Sequence, residues 1–82
     1  MAHAAQLPLY REFLKRLRAG RERAGLLQME VARRLGKPQS YISKCESGER
    51  RVDAIELAAI ARLYQLPLTF FVPPPARKSR AR

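Results

Sequence analysis

The side chains from residue 39 to residue 44 are the part of the sequence best suited to chemistry with another molecule. Gln39, Ser40, Ser43 and Lys44 can all donate or accept hydrogen bonds, and only Ile42 in this stretch is purely apolar. On a helix, an amide, hydroxyls and an ammonium form a surface that can bond base edges and phosphates in a major groove. The pattern therefore indicates recognition by hydrogen bonding, and the N–H groups at the start of such a helix would add phosphate contacts.

Residues suited to catalysis or metal binding are few. His3 is the one histidine, and Cys45, the one cysteine, cannot form an internal disulfide. The 7 Asp and Glu residues are mostly predicted on helix surfaces beside arginines, so they do not supply the convergent titratable groups that catalysis requires. We therefore expect no enzyme activity, no metal site and no cofactor. A single thiol is also compatible with a reducing cytoplasm.

The charge balance predicts a polyanionic partner. The 82-residue chain carries 17 Lys and Arg against 7 Asp and Glu, a net charge of +10, and such a field attracts nucleic acid. The longest apolar stretch, residues 66–76, is interrupted by prolines and too short to span a membrane. The N-terminus also lacks the pattern of a signal peptide. We expect a cytoplasmic, nucleoid-associated protein.

Three helices are predicted before residue 50, and they would position the polar surface. Apolar residues recur at helical spacing over residues 9–24, and two shorter stretches follow, Gln28–Leu35 and residues 38–47. A glycine follows each stretch and predicts where each helix ends. The second and third stretches have the length and spacing of a helix-turn-helix. Spacing alone is weak evidence, because many small helical domains contain such a pair.

Two further helical segments are predicted after residue 50. Asp53 and Glu56 form a D-x-x-E start signal for a fourth helix, Ala54–Tyr64. A last turn over residues 68–72 carries two phenylalanines that are expected to complete the core or meet a partner. The residues predicted to be buried on the fourth helix are Leu57, Ala58, Ala61 and Tyr64.

The chain is long enough for one domain. Residues 1–8 are interpreted as a flexible lead-in and residues 9–72 as the folded domain. Residues 73–82 open with three prolines and then carry four cations with no large apolar residue. They are predicted to be a disordered basic tail.

The string LLQMEVARRLGKPQSYISKCESGERRVDAIELAAIARLYQLPL resembles the Cro and phage-repressor type helix-turn-helix family, often called XRE-like. The resemblance covers roughly residues 10–71, and GKPQSYISKCESGERR is its most recognisable part. It implies an all-α, compact five-helix repressor-like domain whose third helix recognises DNA. From it we predict sequence-specific binding to double-stranded DNA by a homodimer on a near-palindromic operator. The protein would then be a transcriptional regulator, by default a repressor.

The resemblance also implies roles for individual residues. Gln39 and Ser40 match the leading base-reading positions of the family, and Lys44 matches a further position that faces the groove. Gln28 matches a glutamine that clamps a phosphate at the start of the second helix. The other positions at which the family often grips the DNA backbone are Tyr41, Ser43, Arg50 and Arg51. For the cations among these residues, a solvated charged surface is the alternative interpretation.

Other matched positions bear on stability. Arg21 and Glu46 match an ion pair that links the first and third helices, which predicts a structural role. Leu27 stands where the family usually has a hydroxyl that caps the second helix, and this change removes about 1 kcal/mol of stabilisation. Cys45 replaces a larger apolar residue and predicts looser packing at that point of the core.

Two alternative functions remain open at this stage. One is a protein-interaction module of antitoxin type, whose main partner is another protein that contacts Ile55, Ile60, Phe70 and Phe71. The same apolar residues could instead form a homodimer interface. The other is a membrane-surface role for the basic tail, which is disfavoured because the tail has no apolar anchor.

Overall fold

Five helices follow one another in the computed structural model, which describes residues 7–72. This part of the chain contains no strand, so the predicted all-α fold class is confirmed. Most of the predicted lead-in and all of the predicted basic tail, residues 73–82, lie outside the described residues. The helices are α1 (Pro8–Arg23), α2 (Gln28–Leu35), α3 (Gln39–Ser47), α4 (Ala54–Tyr64) and α5 (Leu68–Phe71).

The helix boundaries follow the local signals closely. α2 and α4 have the predicted bounds, whereas α1 begins one residue early, at Pro8, and α3 begins one residue late, after Pro38. Pro8 lies in the first turn of α1, where a missing N–H and a fixed φ are tolerated. Pro38 instead keeps an extended backbone and serves as the N-cap residue of α3.

All five helices contribute side chains to one core. On α4 the buried stripe includes Ile60, which is 2% exposed, whereas Ala58 is exposed. The prediction that Ala58 is buried is therefore wrong, because residue 58 lies about 100° around the helix from residue 57 and off the stripe. The core residues are Phe13, Leu17, Val31, Ala32, Ile42, Cys45, Leu57, Ile60, Ala61, Tyr64 and Phe71.

The short helix α5 docks on α1 through a close approach at Gly20. A Cβ atom at Gly20 would lie 2.8 Å from Cε1 of Phe71, so only glycine leaves room for this ring. Phe71 is 0% exposed. Phe70 is half-buried, and its carbonyl accepts a 3.0 Å hydrogen bond from Nη1 of Arg16.

The burial pattern corrects the predicted partner surface. Ile60 and Phe71 were expected to be available to a protein partner, but both lie inside the core and cannot contact one. Ile55 remains 79% exposed. No helix between residues 7 and 72 is long and apolar enough to cross a membrane.

Candidate nucleic-acid interface

A tight turn joins α2 to α3 and fixes their relative direction. Gly36 ends α2 with a φ of 70°, a left-handed conformation that favours glycine. The N–H of Lys37 then donates to the carbonyl of Ala32 at 2.8 Å. α2 and α3 pack closely. The inner side of α3 faces the core, where Ile42 and Cys45 are buried. The opposite side of α3 is left for other contacts.

The outward side of α3 presents the polar residues singled out in the sequence. Gln39, Ser40, Ser43 and Lys44 are all exposed, and at helical spacing they cover an arc of about 140°. Tyr41 lies at the edge of this arc and is half-buried. The three predicted base-reading residues therefore share one exposed surface of a helix, the element that a major groove admits.

A chain of hydrogen bonds connects this surface to α1. Both nitrogens Nε and Nη2 of Arg21 donate to the carboxylate of Glu46, at 2.6 and 3.1 Å. The same carboxylate accepts a 3.0 Å hydrogen bond from Nε2 of Gln28, and Oε1 of Gln28 accepts one of 3.3 Å from Nε2 of Gln39. The residues matched to a phosphate contact and a base contact are thus bonded to each other and to a buried ion pair.

The ion pair at the centre of this chain is well enclosed. The side chains of Arg21 and Glu46 are only 9% and 6% exposed. Nη1 of Arg21 also donates to the carbonyl of Leu26 at 3.0 Å. The hydrogen bonds that Arg21 donates to Glu46 raise the pKa of Arg21 above its ordinary value. The forked pair holds α3 at a defined angle to α1.

A second cluster joins the loop after α3 to the start of α4. Nη1 and Nη2 of Arg50 donate to the two carboxylate oxygens of Glu56 at 3.0 and 2.7 Å. Nη1 also donates to the carbonyl of Arg51 at 2.9 Å. The guanidinium carbon lies 4.6 Å from the ring centroid of Tyr41, within the range of a cation–π contact.

The electrostatics of this cluster follow from its hydrogen bonds. The pKa of Glu56 is lowered to about 2, mainly by the hydrogen bonds from Arg50 and next by the hydrogen bond from the backbone N–H of Asp53. The hydrogen bond to Glu56 in turn raises the pKa of Arg50. Burial, followed by a hydrogen bond to Glu56, raises the pKa of Tyr41 to about 12. The pair is therefore ionised and Tyr41 neutral at neutral pH.

The comparisons with known proteins agree with the geometry. A family model described as a helix-turn-helix domain matches residues 12–69. The chain belongs to this helix-turn-helix family. The family is one of the Cro and phage-repressor group of DNA-binding domains, so the predicted resemblance is confirmed. No curated protein and no solved structure matches the chain significantly.

The match places every interface residue within this helix-turn-helix domain and supports DNA binding, with a role in transcription regulation. Arg51 differs from Arg50 in its surroundings. Its side chain is exposed, its guanidinium carbon lies 6.0 Å from the ring centroid of Tyr10, and it takes part in none of the ion pairs found among residues 7–72. Two adjacent arginines that the sequence treated alike therefore have different environments.

Two residues of the domain's interface were not singled out from the sequence. Glu56 was interpreted only as part of a helix start, and its second role as the partner of Arg50 has no local signal, because the two residues lie six positions apart. Lys37 places its ammonium 5.1 Å from the ring centroid of Tyr41. Among residues 7–72 no cluster of three or more His, Cys, Asp and Glu is arranged to hold a metal ion.

Proposed function

We propose that the protein is a transcriptional repressor that reads a near-palindromic operator as a homodimer. The observation that carries the proposal is the outward side of α3, where Gln39, Ser40 and Lys44 are exposed together. Amide, hydroxyl and ammonium groups discriminate base pairs by the donors and acceptors that each pair presents in the major groove. A bound dimer would repress by excluding polymerase from an overlapping promoter.

Contacts with the DNA backbone would set the depth and angle of α3. Leu27 and Pro38, the N-cap residues of α2 and α3, make no side-chain hydrogen bond to the helix N–H groups. Those N–H groups and the positive ends of both helix dipoles therefore suit phosphate oxygens. Gln28 at the start of α2 and the exposed Ser43 and Arg51 would supply side-chain contacts.

An apolar groove supports association with a second copy. It lies between the N-terminal ends of α1 and α4, and Asp53 is the one charged residue in its lining. A chain with a net charge of +10 repels its own copy, so self-association favours a surface with few cations. Leu9, which lines the groove, is 78% exposed. The lining residues are Leu9, Tyr10, Phe13, Val52, Asp53, Ala54, Leu57 and Val72.

A dimer formed at this groove would have to present both copies of α3 to the same DNA. In helix-turn-helix dimers the two recognition helices enter successive major grooves about 34 Å apart, so the operator repeats the two-fold symmetry of the protein. The antitoxin-type interaction module would instead bind a different protein, and of the residues predicted for that contact Ile55 remains exposed. We favour the homodimer because the exposed polar face of α3 has no use in a purely protein-binding module.

The decisive experiment is selection from a randomised duplex pool, followed by sequencing, at near-physiological salt. We expect enrichment of a two-fold symmetric motif. Enrichment of a single asymmetric half-site would contradict the homodimer, and no enrichment would contradict sequence-specific recognition and favour the protein partner.

The dimer surface has its own test. Leu9→Glu places a charge in the groove and is expected to shift the protein from dimer to monomer in light scattering. It should also weaken binding to the symmetric site more than to a single half-site. An unchanged molar mass for a dimeric protein would exclude the groove as the interface.

A further inference from the structure

We propose that Arg50 is a positioning residue that presents Arg51 to the DNA backbone, and that Arg50 itself does not bind phosphate. The inference rests on the DNA-binding role of α3 proposed above. It assigns different roles to two adjacent arginines according to what each side chain contacts. The resemblance to the family matched both residues to phosphate contacts, so the division is specific to the geometry of this chain.

The guanidinium of Arg50 already donates three hydrogen bonds within the protein, although the side chain is 39% exposed. Two of its nitrogens form a forked pair with the carboxylate of Glu56, and the plane lies near the ring of Tyr41. A phosphate would have to compete with a carboxylate that accepts both hydrogen bonds and is ionised at neutral pH. Forked arginine–carboxylate pairs are among the stronger hydrogen-bonded contacts in proteins.

The contacts of Arg50 reach three different elements. Its backbone N–H donates to the carbonyl of Lys44, in the last turns of α3, at 3.1 Å. Its side chain bonds Glu56 in the first turn of α4. Because Tyr41 also belongs to α3, the single residue Arg50 ties α3, the following loop and α4 together.

The same side chain holds the backbone of its neighbour. Nη1 of Arg50 donates to the carbonyl of Arg51 at 2.9 Å, which fixes the peptide from which the Arg51 side chain extends. The N–H of the next residue, Val52, donates to the hydroxyl of Tyr10 at 3.3 Å. The peptide group that follows Arg51 is thus held at both its carbonyl and its N–H, while the Arg51 guanidinium is exposed beside the Tyr10 ring.

The two possible roles of Arg50 predict opposite effects of Glu56→Gln. If Arg50 binds phosphate, removing the competing carboxylate frees the guanidinium and adds a positive charge to the protein, so DNA binding tightens. If Arg50 positions the loop, losing the ionic partner releases the loop and DNA binding weakens. Glutamine still serves in a capping box, so the start of α4 is retained in this variant.

Arg50→Lys provides a second test, because the two roles of Arg50 predict different affinities for this variant. Lysine keeps the positive charge but cannot form the forked pair. A phosphate ligand would be largely rescued by lysine, whereas a positioning residue would not. Comparison with Arg51→Lys on the same loop is the matched control, since a point charge suffices for a phosphate contact.

The experiment measures affinity for a mixed-sequence duplex over a series of salt concentrations. This duplex is chosen because phosphate contacts do not depend on sequence, so the result does not require a known operator. Each phosphate neutralised contributes about 0.9 to the slope of log K against log salt. We expect Arg51→Ala to reduce the slope by about this amount. Arg50→Lys and Glu56→Gln should weaken binding about tenfold and lower the slope towards that of Arg51→Ala, because the phosphate contact of Arg51 is weakened in both variants.

Non-additivity separates positioning from a general loss of stability. If Arg50 acts by presenting Arg51, then Arg50→Lys should have little further effect in the Arg51→Ala background. A stability effect would be the same in both backgrounds. All variants are compared at a temperature where circular dichroism shows each to be folded.

The inference is overturned by tighter or unchanged binding of Glu56→Gln, by wild-type affinity of Arg50→Lys, or by a full effect of Arg50→Lys in the Arg51→Ala background. Failure of the proposed function is distinct. If the wild-type protein binds every duplex without preference, the proposal of a specific operator is contradicted, but the comparison of the arginine variants still applies. A wild-type protein that binds no duplex overturns both.

Discussion

Arg21 on α1 and Glu46 on α3 form a forked ion pair, with hydrogen bonds of 2.6 and 3.1 Å, in a site where both side chains are almost fully buried. The Glu46 carboxylate also accepts a hydrogen bond from Nε2 of Gln28. The pair therefore connects α1 to the residues proposed to contact DNA, and it leads to one prediction about stability and one about function.

Arg21→Met is expected to destabilise the domain strongly, because it leaves the buried Glu46 carboxylate without its cationic partner. Removing one member of a buried pair costs about 3–5 kcal/mol, to be measured by urea unfolding. Arg18→Met on the same helix is the matched control. Arg18 approaches Glu22 at 4.0 Å and both are well exposed, so its loss should cost less than about 1 kcal/mol. Equal losses in the two variants would contradict a structural role for the Arg21 pair.

Gln39→Ala should remove sequence preference while leaving nonspecific binding largely intact. A bidentate contact to a base pair is worth about 1–3 kcal/mol of discrimination, so the ratio of affinities for selected and scrambled duplexes should fall about tenfold or more. Arg51→Ala is the comparison variant, because a phosphate contact affects both duplexes alike. An equal loss on all sequences after Gln39→Ala would exclude base reading by Gln39.

The N-cap positions of α2 and α4 predict stability changes of opposite sign. The side chain of Leu27, at the N-cap of α2, accepts no hydrogen bond, although Glu30 already accepts one from the Leu27 N–H at 2.8 Å. Leu27→Ser would complete this capping box and should stabilise the domain by about 1 kcal/mol. Asp53, at the N-cap of α4, accepts a 2.7 Å hydrogen bond from the N–H of Glu56. Asp53→Ala should destabilise the domain by a similar amount, and the two shifts are to be read from thermal unfolding. A Leu27→Ser protein that melts below the wild type would show that packing of Leu27 outweighs the cap.

Glu56 predicts a pH dependence of stability. Its pKa is lowered from 4.5 to about 2 in the folded protein, mainly by the hydrogen bonds from Arg50. The unfolded chain therefore binds this proton first, and the stabilisation is fully present above about pH 4.5 and is lost as the pH falls to about 2. The free energy of unfolding of Glu56→Gln should fall less steeply over this range than that of the wild type.

The control for this pH series is Glu49→Gln, which removes an equal charge from an exposed position in the preceding loop. It should keep the wild-type slope between pH 4.5 and 2. Parallel curves for the wild type and Glu56→Gln would show that the pair with Arg50 does not stabilise the folded state.

Local signals in the sequence determined the fold class and most helix ends. Gly36 and Gly48 follow the last turns of α2 and α3 in the left-handed conformation, and the D-x-x-E pattern at Asp53 opens α4 with both of its hydrogen bonds. Such caps depend only on residues within one or two turns, which is why they can be recognised without the tertiary structure. The polar outward face of α3 follows in the same way from helical periodicity.

Tertiary structure alone decided which similar residues have different roles. Arg50 and Arg51 are adjacent and chemically identical, yet packing brings Glu56 to one of them and leaves the other exposed. Phe70 and Phe71 are likewise adjacent, and only Phe71 fits against Gly20. Neither outcome is encoded in local spacing, because each depends on a residue from another helix. Proximity created by packing, and not residue type, selects the partner of each side chain.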